Sequence, residues 1–348
     1  MDVEYATSLD AVPRAEWSRL AVEAGNIFAT PEWLCAWWRW YGGRQDALIG
    51  LVRSDAEIIA VVPLYVWWKR GLPILRFIGH GVSDRLGPIL PPCTERRAAE
   101  AIASAFDAIP LRRFILLAEL VTGQQQFGGL AGARTLYTDA SPLLRIEHAS
   151  WDDFLKNRGS NFRQQVRRFP RKLAGLGHVS YRLASDPLTL DHDLDTLFDL
   201  HRRRWDGATT PFLLAAGLHR EIAACALRRG WLRLWFLEID RKPVAAYYGF
   251  RTGGIEVAYQ GGRDPRLTKY PLGFVLLSHA VREAMNDGIA EYHLLRGGEG
   301  YKARFANTDL GLETSAVARG VDARLVLTAA SALRGHSLGI RRRFIDRL

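Results

Sequence analysis

The sequence predicts an α/β fold with mixed sheets, organised as two tandem domains, and three observations lead to this prediction. The chain has 348 residues, which exceeds the size at which a single hydrophobic core usually stops growing. Helix and strand patterns alternate along the whole chain, as they do in proteins that pack helices against a sheet. The order of these patterns in the first half also returns in the second half.

The first half contains helix signals over 13–41 and 94–109, and strand signals over 47–53, 58–68, 72–80 and 113–120. A second helix is expected to begin at the ATPEW sequence, with Thr30 as its N-cap, Pro31 as its first residue and Glu32 in its first turn. The runs 47–53 and 58–68 are expected to form a hairpin, because apolar residues flank a short polar turn. Glycine and glutamine predict a loop over 123–132.

The second half contains helix signals over 151–173, 190–206, 219–230 and 272–288, and strand signals over 232–239, 243–251, 256–262 and 290–295. The segments 232–239 and 243–251 are expected to form a second hairpin. Gly288 stands just past the end of the amphipathic pattern 272–288, which is the usual position of a glycine at a helix C-terminus.

An internal repeat connects the two halves. Without gaps, VRSDAEIIAVVPLYV (52–66) aligns with LEIDRKPVAAYYGFR (237–251) at an offset of 185. Both segments place an aspartate in the hairpin turn (Asp55, Asp240) and an alanine in the returning strand (Ala60, Ala245). We therefore expect a duplicated domain, with a first domain over 1–148, a second over 149–322 and a basic C-terminal tail over 323–348.

Composition narrows the class of protein. Hydrophobic residues make up 48% and charged residues 24%, as in ordinary globular proteins. The cysteines Cys35, Cys93 and Cys225 are far apart without a CxxC pair, which argues against a zinc site or a disulfide framework. No signal peptide pattern is visible, and no apolar run approaches the roughly 18 residues of a membrane helix. We predict a cytoplasmic protein without a bound metal.

The net charge of +10 fits three partner classes: nucleic acid, an anionic membrane surface or a phosphorylated small molecule. Basic residues concentrate at 156–172, 201–204 and 341–347. Each of these clusters is also typical of a solvated helix face, so the charge alone does not choose among the partners.

The motif order resembles a known family. FATPEWLCAWWRWYGG, VVPLY and GHGVSDRLGPILPP in the first half, and NFRQQVRRFPRKL, LHRRRW, WFLEIDRKPVAAYYGF, AYQGGRDP, YPLGFVLLSHAV and LLRGGEGYKARFA in the second, resemble the CelD/BcsL-type acetyltransferases of cellulose and exopolysaccharide biosynthesis. The resemblance covers about 25–310, and its layout is similar to the FemAB-type transferases. It implies two tandem GNAT-like domains and acyl transfer from acetyl-CoA or another acyl-CoA to an amine or hydroxyl of a small-molecule or saccharide acceptor.

The donor site is expected at the turn 263–273. A pyrophosphate binds well to backbone N–H groups at a helix N-terminus, and glycine there allows close approach. Ordinary GNAT enzymes carry an R/Q-x-x-G-x-G/A loop at this place, whereas RDPRLTKYPLGF has one glycine at the helix start. The expected donor contacts are Tyr259, Gly261, Gly262, Arg263, Arg266, Lys269, Leu272 and Gly273, where Gly261 and Gly262 let the strand amides reach a thioester carbonyl.

Transfer from a thioester needs a deprotonated acceptor and an acid for the departing thiolate. The resemblance implies that Tyr301 protonates the thiolate, and that Lys302 stands near the lysine of the Fem-type K-x-x-F motif. The base is left open among Glu299, Glu256 and His201. The residues expected to carry the chemistry are Tyr301, Lys302 and Glu299.

The acceptor is expected to contact four residues: Asp84, His201, Trp205 and Arg304. Asp84 in GVSDRLG would also be an ordinary turn residue, and Trp205 and Tyr259 would also be ordinary core aromatics.

Two rival functions remain open. A Fem-type aminoacyl-tRNA-dependent transferase would use the basic helix 156–172 on RNA phosphates, although Pro170 is expected to interrupt that helix and nucleic acid is the less favoured partner. A non-catalytic partner of a polysaccharide synthase would instead use the tail 332–348 to contact the synthase or an anionic membrane.

Overall fold

The computed structural model describes residues 1–55, 57–92, 95–122 and 130–332. Its α-helices are α1 (Arg14–Glu23), α2 (Pro31–Trp37), α3 (Glu95–Asp107), α4 (Trp151–Lys156), α5 (Ser160–Ala174), α6 (Leu190–Arg204), α7 (Pro211–Leu214), α8 (Ala216–Arg228), α9 (Leu272–Asn286) and α10 (Val321–Ala332). Its strands are β1 (Asp2–Ala6), β2 (Asp46–Ser54), β3 (Glu57–Lys69), β4 (Leu72–Phe77), β5 (Phe114–Thr122), β6 (Arg134–Asp139), β7 (Pro142–Arg145), β8 (Val179–Leu183), β9 (Leu232–Ile239), β10 (Lys242–Thr252), β11 (Ile255–Arg263), β12 (Glu291–His293), β13 (Thr308–Asp309) and β14 (Leu312–Arg319).

The chain forms two compact units. The first unit consists of Met1–Asp139 and the chain from Gly311 onward, and the second of Ala140–Leu310. This division differs from the predicted boundaries after 148 and after 322. Strand β7 belongs to the second sheet, and β14 with α10 belongs to the first unit. The strands β1, β6, β7, β8, β13 and β14 were not predicted. The first five have six residues or fewer, a length that carries little periodicity, whereas β14 was missed although it is as long as the predicted β9.

Each unit contains one seven-stranded mixed sheet. The first has the order β1-β2-β3-β4-β5-β14-β6, and the second has the order β13-β7-β12-β11-β10-β9-β8. One neighbouring pair in each sheet is parallel, β4 with β5 and β11 with β12, and the other pairs are antiparallel. A helix connects the strands of each parallel pair, α3 in the first unit and α9 in the second, so the two sheets follow one plan.

The predicted repeat is present in the structure. The β2–β3 hairpin and the β9–β10 hairpin each turn at the predicted aspartate, and both aspartates adopt the left-handed region, with φ +50° at Asp55 and +48° at Asp240. The repeat extends further than the sequence showed. Shortly after the last parallel pair, each sheet contains a leucine with positive φ, Leu120 at +53° and Leu295 at +59°.

The two units differ where their parallel strands separate. In both sheets the parallel pairing covers three residue pairs and then stops. In the first unit the loop after β4 fills the resulting gap, because Ile89 pairs with Val61 of β3 and Leu86 pairs with Val121 of β5. In the second unit β11 continues to Arg263 along β10 alone, so among the described residues no backbone fills that gap.

Local signals explain most helix boundaries. Thr30 caps α2 as predicted, with its Oγ1 accepting a hydrogen bond from the Trp33 amide at 3.3 Å. The predicted helix over 151–173 is two helices, separated at Asn157–Gly159. The expectation that Pro170 interrupts the second of them is wrong, because α5 continues through Pro170 to Ala174. Burial of Phe162 and Leu173 on its inner face compensates for the missing hydrogen bond.

Several sequence features fall partly or wholly outside the described residues, namely Cys93, most of the loop 123–132 and the tail from 333 onward. Cys35 and Cys225 are free thiols. No helix in the described part of the chain combines the length and the hydropathy needed to span a bilayer. The described ranges also contain no group of three or more His, Cys, Asp or Glu side chains placed to hold a metal ion.

The second unit contains a buried histidine that makes its stability sensitive to acid. His219 on α8 is fully buried, and its ring lies 4.6 Å from that of Phe212 and 5.6 Å from that of Tyr259. Burial, assisted by the nearby His201, lowers the pKa of His219 to about 3. Between that value and about 6.5 the unfolded chain binds a proton that the folded chain excludes, so stability falls as the pH falls through this window.

We expect urea unfolding to report this effect. Between about pH 6 and 4, unfolding of the wild type should take up about one proton more than unfolding of His219→Leu. The unfolding constant of the wild type should therefore change about tenfold more per pH unit than that of the variant. His192→Leu on the exposed face of α6 is the control and should leave that slope unchanged. An equal slope in wild type and His219→Leu would contradict the buried neutral imidazole.

Candidate functional site

The open gap beside β11 is the centre of the candidate site. A β-bulge interrupts β11 there, since Ala258 pairs with Gly249 and Gln260 with Tyr248, which leaves Tyr259 as the extra residue. Gly249 is required opposite the bulge, because a Cβ at this position would lie 2.2 Å from the Val257 carbonyl oxygen. A bulge leaves the extra residue outside the regular ladder and bends its strand. Beyond Val257, β11 has no neighbouring strand on its β12 side among the described residues, although Ala258, Gly261 and Gly262 themselves are buried.

The two predicted glycines of β11 face different surroundings. A Cβ at Gly262 would lie 2.3 Å from the backbone nitrogen of His201, so this glycine allows α6 to pack directly on the strand. A Cβ at Gly261 would contact the ring of Tyr247 and lie 3.0 Å from the Ala246 carbonyl oxygen. Glycine is therefore required at 262 for the packing of α6 on β11, and Gly261 leaves room beside Tyr247.

The N-terminus of α9 is open. No side chain in the described residues caps its first turn, and the turn contains no acidic residue. Leu272 is buried and anchors the helix, whereas Gly273 is exposed and a Cβ there would meet nothing within 4 Å. The fold thus does not require glycine at 273, and the unobstructed amides are suited to an anionic group.

The predicted basic residues around this helix end are not equivalent. Arg263 and Lys269 are exposed. Arg266 is engaged with Asp264, whose carboxylate lies 2.6 Å from the guanidinium and also accepts the Arg266 amide hydrogen bond at 2.9 Å. Asp264 was missed from the sequence, although an aspartate before proline is a known signal for such a turn. Its bond to Arg266 lowers the pKa of Asp264, so the pair is internally neutralised.

Tyr301 lies at the edge of the gap, in the loop after β12. Burial and the nearby Glu299 carboxylate raise its pKa against the opposing effect of Arg204, so the phenol is protonated at neutral pH. The side chain is 40% exposed. Two buried tyrosines that the sequence did not single out, Tyr247 and Tyr292, lie near Tyr301 and have raised pKa values because of burial. Cross-strand position would have indicated Tyr247, which pairs with Gly261.

Lys302 has a structural position. It is 5% exposed, and its Nζ donates to the carbonyl oxygens of Leu295 at 3.3 Å and Arg296 at 2.5 Å. It also pairs with the Glu299 carboxylate at 2.9 Å. These bonds hold the turn at Leu295, where the backbone has a positive φ, and keep the loop that carries Tyr301 in place. Lys302 therefore acts on the site by positioning that loop.

The candidate bases are differently placed from the sequence expectation. Burial acts to raise the pKa of Glu299, but its bonds to Lys302 and to backbone, together with the positive charges of Lys302 and Arg204, outweigh burial, and the net shift is downward. Glu256 is 1% exposed and bound to Arg251 at 2.7 Å. His201 is buried, with Nδ1 at 3.1 Å from the Gly261 carbonyl oxygen and Nε2 at 3.0 Å from Thr210 Oγ1. Glu256 and His201 are therefore buried and engaged, whereas the Glu299 side chain is 57% exposed although it is paired with Lys302.

The predicted acceptor contacts lie in both units. His201 has both ring nitrogens occupied. The side chain of Tyr259, predicted as a donor contact, packs among Phe212, His219 and Tyr248. Arg304 stacks over Phe274 at 4.5 Å and donates to Gln165, which fastens α5 to α9. Trp205 is 48% exposed at the end of α6. Asp84 lies half-buried in the first unit, in the loop after β4.

A basic groove follows the outer face of α5. It encloses about 430 Å³ and is lined by Ser160, Arg163, Gln164, Arg167, Arg168 and Arg171. The opposite face of α5 packs its aromatic residues against α9, with the Phe169 and Phe274 rings 5.6 Å apart. The sequence indicated these arginines as a basic cluster but could not show that they share one groove.

Comparison with known proteins supports the architecture. Residues 160–303 match a family model described as an acetyltransferase (GNAT) domain. No curated protein sequence matches the chain. The matched segment begins at α5 and ends within the short 3-10 turn at Lys302, so it contains the bulge, the gap, the start of α9 and Tyr301.

Solved structures share the two-unit fold at low sequence identity. FemX aligns with a TM-score of 0.61 at 10% identity, covering 94% of this chain and 99% of its own. A conserved protein of unknown function from Bacteroides thetaiotaomicron aligns at 0.55 with 12% identity, covering 92% and 100%. L-PGS from Bacillus licheniformis aligns at 0.54 with 10% identity, covering 93% and 97%. The predicted fold, two tandem GNAT-like α/β domains with mixed sheets, is confirmed.

The contrast between two glycines of the site can be measured. Gly262→Ala should destabilise the protein by about 1–3 kcal/mol, the usual range for overpacking, because its Cβ would collide with the backbone of α6. Gly273→Ala, the matched control, should leave stability unchanged or raise it by up to ~1 kcal/mol, because alanine reduces the freedom of the unfolded chain. Urea unfolding of both variants measures the difference. A loss of stability in Gly273→Ala of the same size would contradict the open helix end.

Proposed function

We propose that the protein is an acyltransferase that moves an acyl group from acyl-CoA to an amine or hydroxyl acceptor. The observation that carries the proposal is the combination, in the second unit, of a bulged strand edge with no neighbouring strand beyond Val257 and a helix N-terminus with no side-chain cap, both within the described part of the chain. The strand edge supplies amides for a thioester carbonyl, and the helix end supplies amides for a pyrophosphate. The match of this segment to a GNAT domain supports the same reaction class.

The residues present suit such a donor. Gly273 at the start of α9 leaves space for phosphate oxygens, and Arg263 and Lys269 add positive charge beside it. Arg266 contributes less than the sequence suggests, because Asp264 neutralises it. We assign the acyl carbonyl to the backbone of β11 around the bulge at Tyr259, where the strand has no neighbour on its β12 side among the described residues, and Gly261 carries no side chain next to Tyr247.

Tyr301 is the residue best suited to protonate the leaving thiolate. Its raised pKa keeps the phenol protonated at neutral pH, and its partial exposure allows contact with a ligand in the gap. Lys302 and Glu299 act as positioning residues, since their bonds fix the loop on which Tyr301 is carried. Exopolysaccharide or envelope biosynthesis as the process rests on the resemblance of the sequence motifs alone.

A second candidate is transfer from an aminoacylated RNA. The α5 groove favours it, because Arg167 and Arg171 stand one helical turn apart along a face that contains no acidic residue within the groove lining. Such a row of guanidinium groups is suited to successive phosphates. RNA binding that weakens steeply with salt, and that is lost in Arg167→Gln/Arg171→Gln, would support this candidate.

The donor site can be tested by calorimetric titration with acetyl-CoA and longer acyl-CoAs. We expect binding in roughly the micromolar to millimolar range typical of enzyme substrates for wild type and for Gly273→Ala. Gly273→Trp should bind at least about tenfold more weakly, because the indole would cover the helix amides that contribute more than one charge-assisted hydrogen bond. Thermal unfolding should be unchanged in both variants. Absence of binding by every acyl-CoA would refute the donor site.

Tyr301→Phe tests the predicted acid. The variant should bind acyl-CoA as wild type does, because phenylalanine keeps the ring packing. Its release of free thiol in the presence of a panel of amine and hydroxyl acceptors should fall by about 100-fold or more, the usual contribution of a general acid. Tyr137→Phe, at a partly buried tyrosine of β6 in the first unit, is the control. Equal thiol release in Tyr301→Phe and wild type would assign Tyr301 to packing.

A further inference from the structure

The first unit contains a cluster of charged side chains buried between β4 and β5. Glu119 and Arg76 are each 5% exposed, and the Arg76 Nε lies 3.3 Å from Glu119 Oε2. The same carboxylate oxygen lies 2.8 Å from His80 Nδ1. Buried charges of this kind are costly, and apolar residues of similar size are often equally stable in their place. Stability alone therefore gives no reason for the cluster.

The backbone around Glu119 is shaped to aim its side chain. Glu119 and Leu120 stand opposite the single residue Thr314 of β14, which is a β-bulge. Leu120 has a φ of +53°, and its amide donates to Thr314 Oγ1 at 3.4 Å. Bulges redirect side chains and occur often beside functional sites, and a non-glycine residue with positive φ is strained. This strain is retained at the residue next to the buried carboxylate.

His80 is the accessible member of the cluster. Its side chain is 28% exposed, and the Trp37 Nε1 donates to its backbone carbonyl at 2.9 Å. A carboxylate at Nδ1 fixes the tautomer that carries its proton there, which leaves the lone pair on Nε2. A histidine oriented in this way is the arrangement that catalytic bases use.

The surroundings favour an uncharged ligand with a ring. Arg76 and Glu119 balance each other, so no net charge of this pair is left to attract an ion. Trp37 and Tyr65 are buried, at 3% and 6% exposure, and their rings lie 5.3 Å apart. The Tyr41 ring lies 5.8 Å from that of Trp37 and is 40% exposed, so it is the ring of these three that a ligand can reach. Tyr41 and Trp37 belong to a helix end with a π-helical turn at Trp38–Gly42, a rare geometry that is frequent at functional sites.

We propose that Glu119 and His80 form a proton-accepting centre within the first unit, which binds a hydroxylated ring compound and takes the proton of one hydroxyl onto His80 Nε2. In this step the ligand O–H bond breaks, the Nε2–H bond forms, and the electron pair stays on the oxygen. Glu119 is the positioning residue, because it holds the imidazole through Nδ1. The centre lies entirely in the first unit and does not depend on the donor site.

The reactivity of His80 can be measured on the full chain with p-nitrophenyl acetate, which acylates basic imidazoles and releases p-nitrophenolate. We expect the rate of p-nitrophenolate release to fall at least about tenfold in His80→Asn. The rate should fall by a similar factor in Glu119→Gln, although the imidazole remains. His178→Asn, at an exposed histidine of the second unit, is the control and should react as wild type does. Equal release by wild type and both variants would overturn the proposal.

Two further measurements keep the test decisive if a variant fails to fold. Diethyl pyrocarbonate labelling of wild type should modify His80 before the more exposed His178 and His192, and modification of His80 after them would contradict an activated imidazole. Glucose at millimolar concentration should slow both reactions at His80. Unchanged rates with glucose and other monosaccharides would refute the hydroxylated ring as the ligand, whereas protection would support it.

Discussion

The separation of two parallel strands after three residue pairs is the constraint on which each unit depends. A sheet that opens in this way leaves backbone N–H and C=O groups without their ladder partners, and such groups must find other partners or face solvent. The two units satisfy this demand differently. In the first unit the long loop after β4 enters the gap through Leu86 and Ile89. In the second unit β11 and its bulge face the gap, and no backbone among the described residues fills it.

Because the gap is filled in one unit and open in the other, equivalent positions perform different tasks. The strained leucines Leu120 and Leu295 stand at corresponding places after the parallel strands. The carbonyl of Leu120 accepts the Leu86 amide at 3.0 Å, whereas the carbonyl of Leu295 accepts the Lys302 ammonium. In the second unit a side chain, and not a backbone segment, donates to this carbonyl. The carbonyl is therefore bonded without a backbone segment in the gap. This substitution accounts for a buried lysine next to the exposed residues Glu299 and Tyr301.

The sequence was sufficient for the features that depend on local periodicity. The aspartates Asp55 and Asp240 predicted both hairpins, and the amphipathic run at 272–288 predicted α9, because these elements are long and their turn residues are specific. The sequence was insufficient where strands near the predicted domain boundaries belong to the other unit. Strands β7 and β14 are four and eight residues long, and the choice of sheet depends on tertiary pairing that no local pattern records. The domain boundaries differed for this reason.

The site shows the same division between local and non-local information. Gly273 could be located from the sequence because helix starts are readable locally, whereas Tyr301 was indicated by the family resemblance. The contacts of His201 and Gly262 could not be predicted, since they follow from the packing of α6 on β11, two elements that are distant in sequence. Adjacent glycines such as Gly261 and Gly262 therefore need not share a role. A Cβ at Gly262 would point at α6 and a Cβ at Gly261 at Tyr247 and Ala246, and only these directions separate the two positions.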